Sequence, residues 1–552
     1  MLYLLSKATA AQTRGERALF RIALITAILS GFFVVMNGYY VATEEAPAQG
    51  GSFAEGIVGQ PTFINPLIAS GSDADAAAIE LLFPPLGNYL ESYTASPDRK
   101  TVSITLKKGL VWDDGKPLTA DDVIFTVETA QDILVRSPNA GAWQGVIAEK
   151  TNDNEVRFTL REPYIFFEDV VRILKIAPRH IFGVIPAANL RLSAYNLEPV
   201  GAGPWMWKGM KTERNGFISQ INLVSNPRYS GPAPHITDFS LHFYPNAASA
   251  IDAFNARAID GLGGIDTKDI SALLTLHRLV SLSLPRYYAI FFNQNTHPAL
   301  KEKAVRQALA MAIDRKKITQ GVFDNYAAAM EGPLTPQTEG YDADTYIKIP
   351  DAMTRAQAIL ENNGWLVNPV DDIRYKTVGK DRLKLGFTAI TPDLPFLMDT
   401  MKIVQAEWAT IGVQLTISPM SPEDMQKGPL KTRNYEMAVF GNVLKGNPDI
   451  FAFWHSSQKF YPGLNLSLYD NKTVDMILTK LQKAEQPDKT QLKKLQEIIR
   501  DDAPAAFLVN PNYLYAIPAN LRGFETDGFV TSEDRLKDAG GWYVRTRRQF
   551  KK

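Results

Sequence analysis

The chain has 552 residues, 45% of them hydrophobic and 21% charged, and its 59 Lys plus Arg balance 59 Asp plus Glu. A net charge of zero without a basic aromatic motif gives no electrostatic footprint for nucleic acid. The lack of any cysteine excludes disulfides, a thiol nucleophile, Cys-ligated zinc and a lipid-modified N-terminal Cys, and the length calls for about three domains or lobes.

In chain order, residues 1–21 read as a cytoplasmic N-terminus ending in Arg14, Arg17 and Arg21. Ile22 to Ala42 follows as 21 uncharged residues, long enough to cross a bilayer as a helix. The arginines before it and Glu44 and Glu45 after it orient the N-terminus inward and the remainder outside. An uncleaved membrane anchor is therefore expected. A cleaved signal peptide is the competing reading, although the small-residue triplet Ala46–Pro47–Ala48 lies far beyond the apolar core. Residues 43–52 read as a short flexible tether.

Val102, Ile104 and Leu106 alternate with polar residues as a half-buried strand does. Asp113–Asp114–Gly115–Lys116–Pro117 is turn chemistry, and Thr119 precedes Asp122 by three residues, which predicts a capped helix through Val123 and Val127. These carboxylates therefore read as structural. Strands are predicted at 156–160, 239–243, 384–389, 413–418 and 436–440. Helices are predicted at 303–313, 354–362, 397–411, 474–483 and 489–501 from apolar spacing and turn signals. This interleaving indicates an α/β or mixed α+β protein with several lobes.

Enzyme signatures are missing. No G-x-S-x-G occurs, Gly441–Gly446 lacks the Lys and Ser/Thr of a phosphate loop, and none of the six His stands in H-E-x-x-H spacing. No catalytic residue, metal ligand or cofactor is assigned.

Five ordered blocks resemble one family. Trp112, Asp114, Gly115, Pro117, Thr119, Ala120, Asp122 and Val123 are similar to its W-x-D-G-x-P-x-T-A-x-D-V block. GQPTFINPL (59–67), VGAGPWMWKG (200–209) and FNARAIDGL (254–262) resemble further elements, as does FFNQNTHPALKEKAVRQALAMAIDRKKI (291–318). The family is the extracellular solute-binding proteins of family 5, the oligopeptide- and dipeptide-binding proteins of ABC importers. The resemblance implies a two-lobed periplasmic-binding-protein-like fold (type II, cluster C) with an inserted subdomain. Lobe I would comprise 53–88, 199–284 and 510–552, the subdomain 89–198 and lobe II 285–509. Hinge crossings would lie near Pro285–Arg286 and Val509–Pro511. It also implies a monomer at the cell membrane, its binding body outside, taking up a peptide or similar polar solute for permease subunits. A surface sensor without a permease is the alternative, as is a non-peptide ligand such as an oligosaccharide, nickel complex or haem.

The family grips a peptide's N-terminal ammonium with an aspartate four residues before a proline. Leu444 stands there relative to Pro448, and Asp449 substitutes only if the loop shifts. Trp454 could stack on a ligand and His455 could hydrogen-bond one, or both could belong to the core. Asn442 and Asn465 are candidates by proximity, and Asn293 is an interlobe candidate. Ser70 and Ser72 either face the cleft from lobe I or form a plain turn.

Overall fold

A computed structural model describes residues 13–68, 71–346, 349–444 and 446–551. The first element is the helix Arg14–Ala42, long and apolar enough to cross a membrane, with none of its most apolar stretch buried inside the protein. Residues 43–52 are not a free tether. Thr43–Pro47 pairs antiparallel with Thr546–Phe550, in register from Thr43 opposite Phe550 to Pro47 opposite Thr546. Gly50 and Gly51 then turn the chain at φ +111° and +98°, backbone that side-chain-bearing residues rarely adopt, into the strand Ser52–Val58. These glycines serve a tight turn; their sequence signal looks the same as that of a flexible linker.

Ser52–Val58 belongs to a seven-stranded sheet in the order His277–Leu282, Tyr513–Pro518, Gly261–Gly263, Ser52–Val58, Asp238–Tyr244, Ile218–Ser225, Trp205–Thr212. In Asp238–Tyr244 the period of two is direct: Phe239, Leu241 and Phe243 are buried and their neighbours are not. A second, six-stranded sheet runs Ala327–Ala329, Ala505–Pro511, Arg286–Phe292, Met437–Val443, Gly386–Pro392, Gln414–Met420. Its central strands are buried on both faces, so Ala505–Pro511 reads as a continuous apolar run rather than an alternating one. Helices Lys303–Met311, Ala352–Asn362 and Pro395–Thr410 pack their apolar stripes on one face, and Lys472–Lys483 and Lys489–Asp502 on the other.

The chain passes between the two sheets twice, through residues 283–285 and through Asn512. The sheets thus form two lobes joined by two short crossings. A four-stranded antiparallel sheet, Leu90–Ala95, Thr101–Leu106, Glu155–Thr159 and Ile147–Asn152, forms a subdomain that shares the first lobe's core.

The acidic block of 113–122 is the joint between subdomain and first lobe. Asp113 Oδ2 accepts from Gly201 N at 3.0 Å, and Asp113 N donates to Gly201 O at 2.8 Å. Gly201 and Gly203 are small because a Cβ there would sit 2.4 and 2.5 Å from carbonyl oxygens of Leu82 and Leu81. Asp122 Oδ2 accepts from Thr119 N at 2.9 Å and its Oδ1 from Arg179 N at 2.9 Å. Burial raises both carboxyls, Asp113 to about 6.

Candidate functional site

The two crossings define the floor between the lobes. Arg286–Phe292 leaves the first crossing and pairs with Met437–Val443, Tyr287 lying opposite Asn442 and Arg286 opposite Val443. Asn442 Nδ2 donates to Tyr287 Oη at 2.9 Å, and Leu444 N continues the pairing to Pro285 O at 2.7 Å. Asn510, two residues before the second crossing, is fully buried, yet neither its amide nitrogen nor its oxygen has a partner. Tyr513 Oη, just after that crossing, and Arg286 Nε are likewise buried without a partner. Buried polar groups are nearly always hydrogen-bonded. Three unsatisfied ones at the crossings make Arg286, Asn510 and Tyr513 the candidate contacts for a polar guest. Asn510 offers a donor and an acceptor, the pair a peptide unit needs, and Arg286 and Tyr513 add donors.

Beneath Tyr513 lies a fixed charge set. Arg535, wholly buried, donates from Nε to Glu55 Oε1 at 2.8 Å and reaches Asp73 at 3.3 Å, while Tyr515 Oη donates to Glu55 Oε2 at 2.7 Å. The guanidinium sits 5.6 Å from the Tyr513 ring centre. Gly263 makes room for that ring, since a Cβ there would meet Tyr513 Oη at 2.1 Å.

The residues singled out from sequence lie elsewhere, for local reasons. Trp454 is not a stacking plate: it is 0% exposed, its ring 5.7 Å from Phe507 and 6.1 Å from Phe291. Asn293 is not interlobe; buried within the second lobe, it donates to Arg433 O and Tyr435 O. Asn465 is equally spent, donating to His455 O and Tyr469 O and accepting from Tyr469 N. His455 stacks on Phe451 at 4.1 Å and accepts from Ser457 N, capping a short helical turn. Ser72 caps the helix Asp73–Leu82 by accepting from Ala74 N, and Ser70 lies outside the described residues. Asn442, at the crossing, remains beside the floor.

Asp449 faces the subdomain. Tyr164 Oη donates to its Oδ2 at 2.6 Å, and Gln482 Nε2 lies 3.2 and 3.3 Å from its two oxygens. Burial, then the Asp449 charge, raises the Tyr164 phenol, which stays a donor. Around this pair Ile165 N donates to Gln482 O at 2.9 Å, Asn447 Nδ2 to Asp169 at 3.0 Å and Arg99 Nη2 to Glu485 O at 3.1 Å, while Lys483 pairs with Glu162 at 3.1 Å. Subdomain and second lobe are thus in direct contact through these pairs.

Residues 85–461, more than half of the chain, match the profile of the bacterial extracellular solute-binding proteins, family 5, middle region. The chain belongs to that family. It is 28% identical to the oligopeptide-binding protein AppA of Bacillus subtilis, covering 87% of this chain and 90% of that one. The solved structure of B. subtilis AppA with a nonapeptide superposes with a TM-score of 0.73 at 26% identity, over 91% of this chain and all (100%) of the other. The substrate-binding protein CtaP of Listeria monocytogenes superposes with a TM-score of 0.76 at 25% identity, over 90% and 100% of the two chains. The fold is accordingly the mixed α/β, two-lobed architecture of this family, whose members are solute-binding transport components.

For a family 5 protein, the departure at the ammonium position is now physical. Leu444 is 1% exposed and packed in the second lobe's core, and Asp449 is held by Tyr164. Sequence reasoning did not single out Arg286, Asn510, Tyr513 or Tyr164 as site candidates. The first three carried one usable signal: an Arg, an Asn and a Tyr within two residues of the crossings, where apolar strands end.

Proposed function

We propose that this chain is a membrane-anchored peptide-binding subunit of an ABC importer, holding an extended peptide between its lobes over Arg286, Asn510 and Tyr513. The observation that carries the reading is the unsatisfied state of those buried groups beside the two crossings. They would be satisfied by peptide N–H and C=O groups, and the likeness to a nonapeptide-bound relative supports that ligand class. Closure is a rotation about residues 283–285 and 512, stabilised by contacts that the ligand makes to both lobes and by the Tyr164–Asp449 contact. With Leu444 and Asp449 unavailable, the peptide is read through its backbone and only weakly at its N-terminus.

The N-terminal helix is read as a retained span. Cleavage after Ala48 would strip Thr43–Pro47 from Thr546–Phe550 and expose that strand's edge. Calorimetric titration with free and N-acetylated versions of one binding peptide tests the ligand reading. Acetylation should change affinity by less than about tenfold, or 1.4 kcal/mol. A hundredfold loss would mean that a carboxylate still grips the ammonium.

A further inference from the structure

The C-terminal strand Thr546–Phe550 does more than pair with the exit of the N-terminal helix. Arg548 donates from Nε to Thr43 Oγ1 at 2.8 Å and from Nη2 to the carbonyls of Tyr40 and Thr43 at 2.9 Å each, its guanidinium 4.3 Å from the Tyr40 ring centre. Lys551 N donates to Ala42 O at 2.9 Å, and Thr43 Oγ1 to Tyr39 O. The last carbonyls of the helix, which have no partner within it, are thereby satisfied by a strand some five hundred residues away, and a cation sits on the negative end of the helix dipole. The ribbon and the helix exit are thus tied directly to each other.

That junction has a patterned surface. Phe550 is 71% exposed and meets the exposed Tyr39 edge-on at 6.3 Å, so three aromatic rings, with Tyr40, cluster at the helix exit. Rings with an apolar body and a polar tip collect at the level of lipid headgroups. On the strand's other face stand Arg547, Gln549 and Lys551, continued by Arg545, all exposed. No carboxylate pairs with Arg545, Arg547 or Lys551 among the described residues, and after Asp538 the chain holds no acidic residue. Glu44 and Glu45, on the partner strand, leave the ribbon net positive.

We propose that the Thr43–Pro47/Thr546–Phe550 ribbon is a membrane-contact collar: Arg545, Arg547 and Lys551 bind phosphates of anionic phospholipids in the extracytoplasmic leaflet while Phe550 enters the interface beside Tyr39 and Tyr40. It rests on the reading of the helix as a retained span. The collar fixes the binding body in a set orientation on the membrane instead of letting it swing on a linker. Each Lys or Arg near an anionic surface shifts the bound-to-free ratio about fivefold, so neutralising three lowers it about a hundredfold.

The chain has no cysteine, so a spin label on Gln549→Cys is unique. The labelled full chain is placed in nanodiscs containing phosphatidylglycerol, and label depth is read from its exposure to oxygen against a water-soluble nickel chelate. The expected result is headgroup depth, lost in pure phosphatidylcholine, at ionic strength raised from about 0.05 to about 0.5 M, and in the combined Arg545→Gln, Arg547→Gln, Lys551→Gln variant. The lipid and salt arms keep the test decisive if that variant misfolds. A fully aqueous label in phosphatidylglycerol discs, with the span retained by intact mass and flotation, overturns the collar alone. A chain lacking the span by mass, or failing to float, overturns the anchor reading and the collar with it.

Discussion

Replacing Tyr164 with Phe removes one hydroxyl and keeps the ring, which isolates one of the contacts that join the subdomain to the second lobe. The bond it deletes is short, 2.6 Å, and ends on a carboxylate. Hydrogen bonds to charged groups contribute about 1.5–3 kcal/mol. The lower end applies, because Asp449 keeps Gln482 Nε2 and the Phe451 N–H. The bond exists only when the two bodies meet, so the whole of about 1.5 kcal/mol falls on the closed form and lowers its ratio to the open form about tenfold. The neighbouring Glu162–Lys483 pair is exposed on both sides and should contribute little. Small-angle scattering of the detergent-solubilised chain should give a larger radius of gyration for Tyr164→Phe. Peptide titration should show up to tenfold weaker binding, with the melting temperature nearly unchanged. Unaltered scattering and affinity would refute closure by this contact. A large fall in melting temperature with affinity intact would make Tyr164 a packing residue only.

Trp454→Ala should cost about 3–5 kcal/mol in denaturant unfolding, the range for a large buried aromatic; lost affinity at unchanged stability would restore it as a ligand contact. Arg286→Gln should weaken peptide binding by about tenfold or more in calorimetry while leaving stability alone, because Arg286 makes no ion pair among the described residues; intact affinity would remove it from the floor. Burial raises Asp113 to about 6, so the folded chain keeps a proton that the unfolded chain has released. Its contribution is complete below about pH 4 and lost as pH rises through about 6, some 1–2 kcal/mol after allowing for partial exposure. The stability difference between Asp113→Asn and wild type should therefore change across that window in thermal unfolding, and a constant difference would contradict it.

What the sequence made legible was local. The strand at Asp238–Tyr244 and the helices at Lys303–Met311 and Lys472–Lys483 follow from periodicity alone, and Asp122 at Thr119 N from a three-residue spacing. What stayed hidden depends on distant partners. Tyr164 and Asp449 are 285 residues apart, and Arg548 and Thr43 are 505 apart, with no local pattern linking them. Trp454 misled because an aromatic followed by polar residues looks the same whether its ring faces a cleft or a core; only Phe291 and Phe507, from other strands, decide it. The Leu444 departure was visible in sequence, whereas its reason, burial in the second lobe, was not.

The central claim is that a peptide lies between the lobes over Arg286, Asn510 and Tyr513. Native mass spectrometry of the intact chain, extracted in detergent after incubation with a peptide digest, tests it most directly by identifying the species that stays bound. The account predicts peptides of several residues, retained by wild type and released by Arg286→Gln. Retention of a nickel complex, haem or oligosaccharide, with peptides ignored, would contradict it.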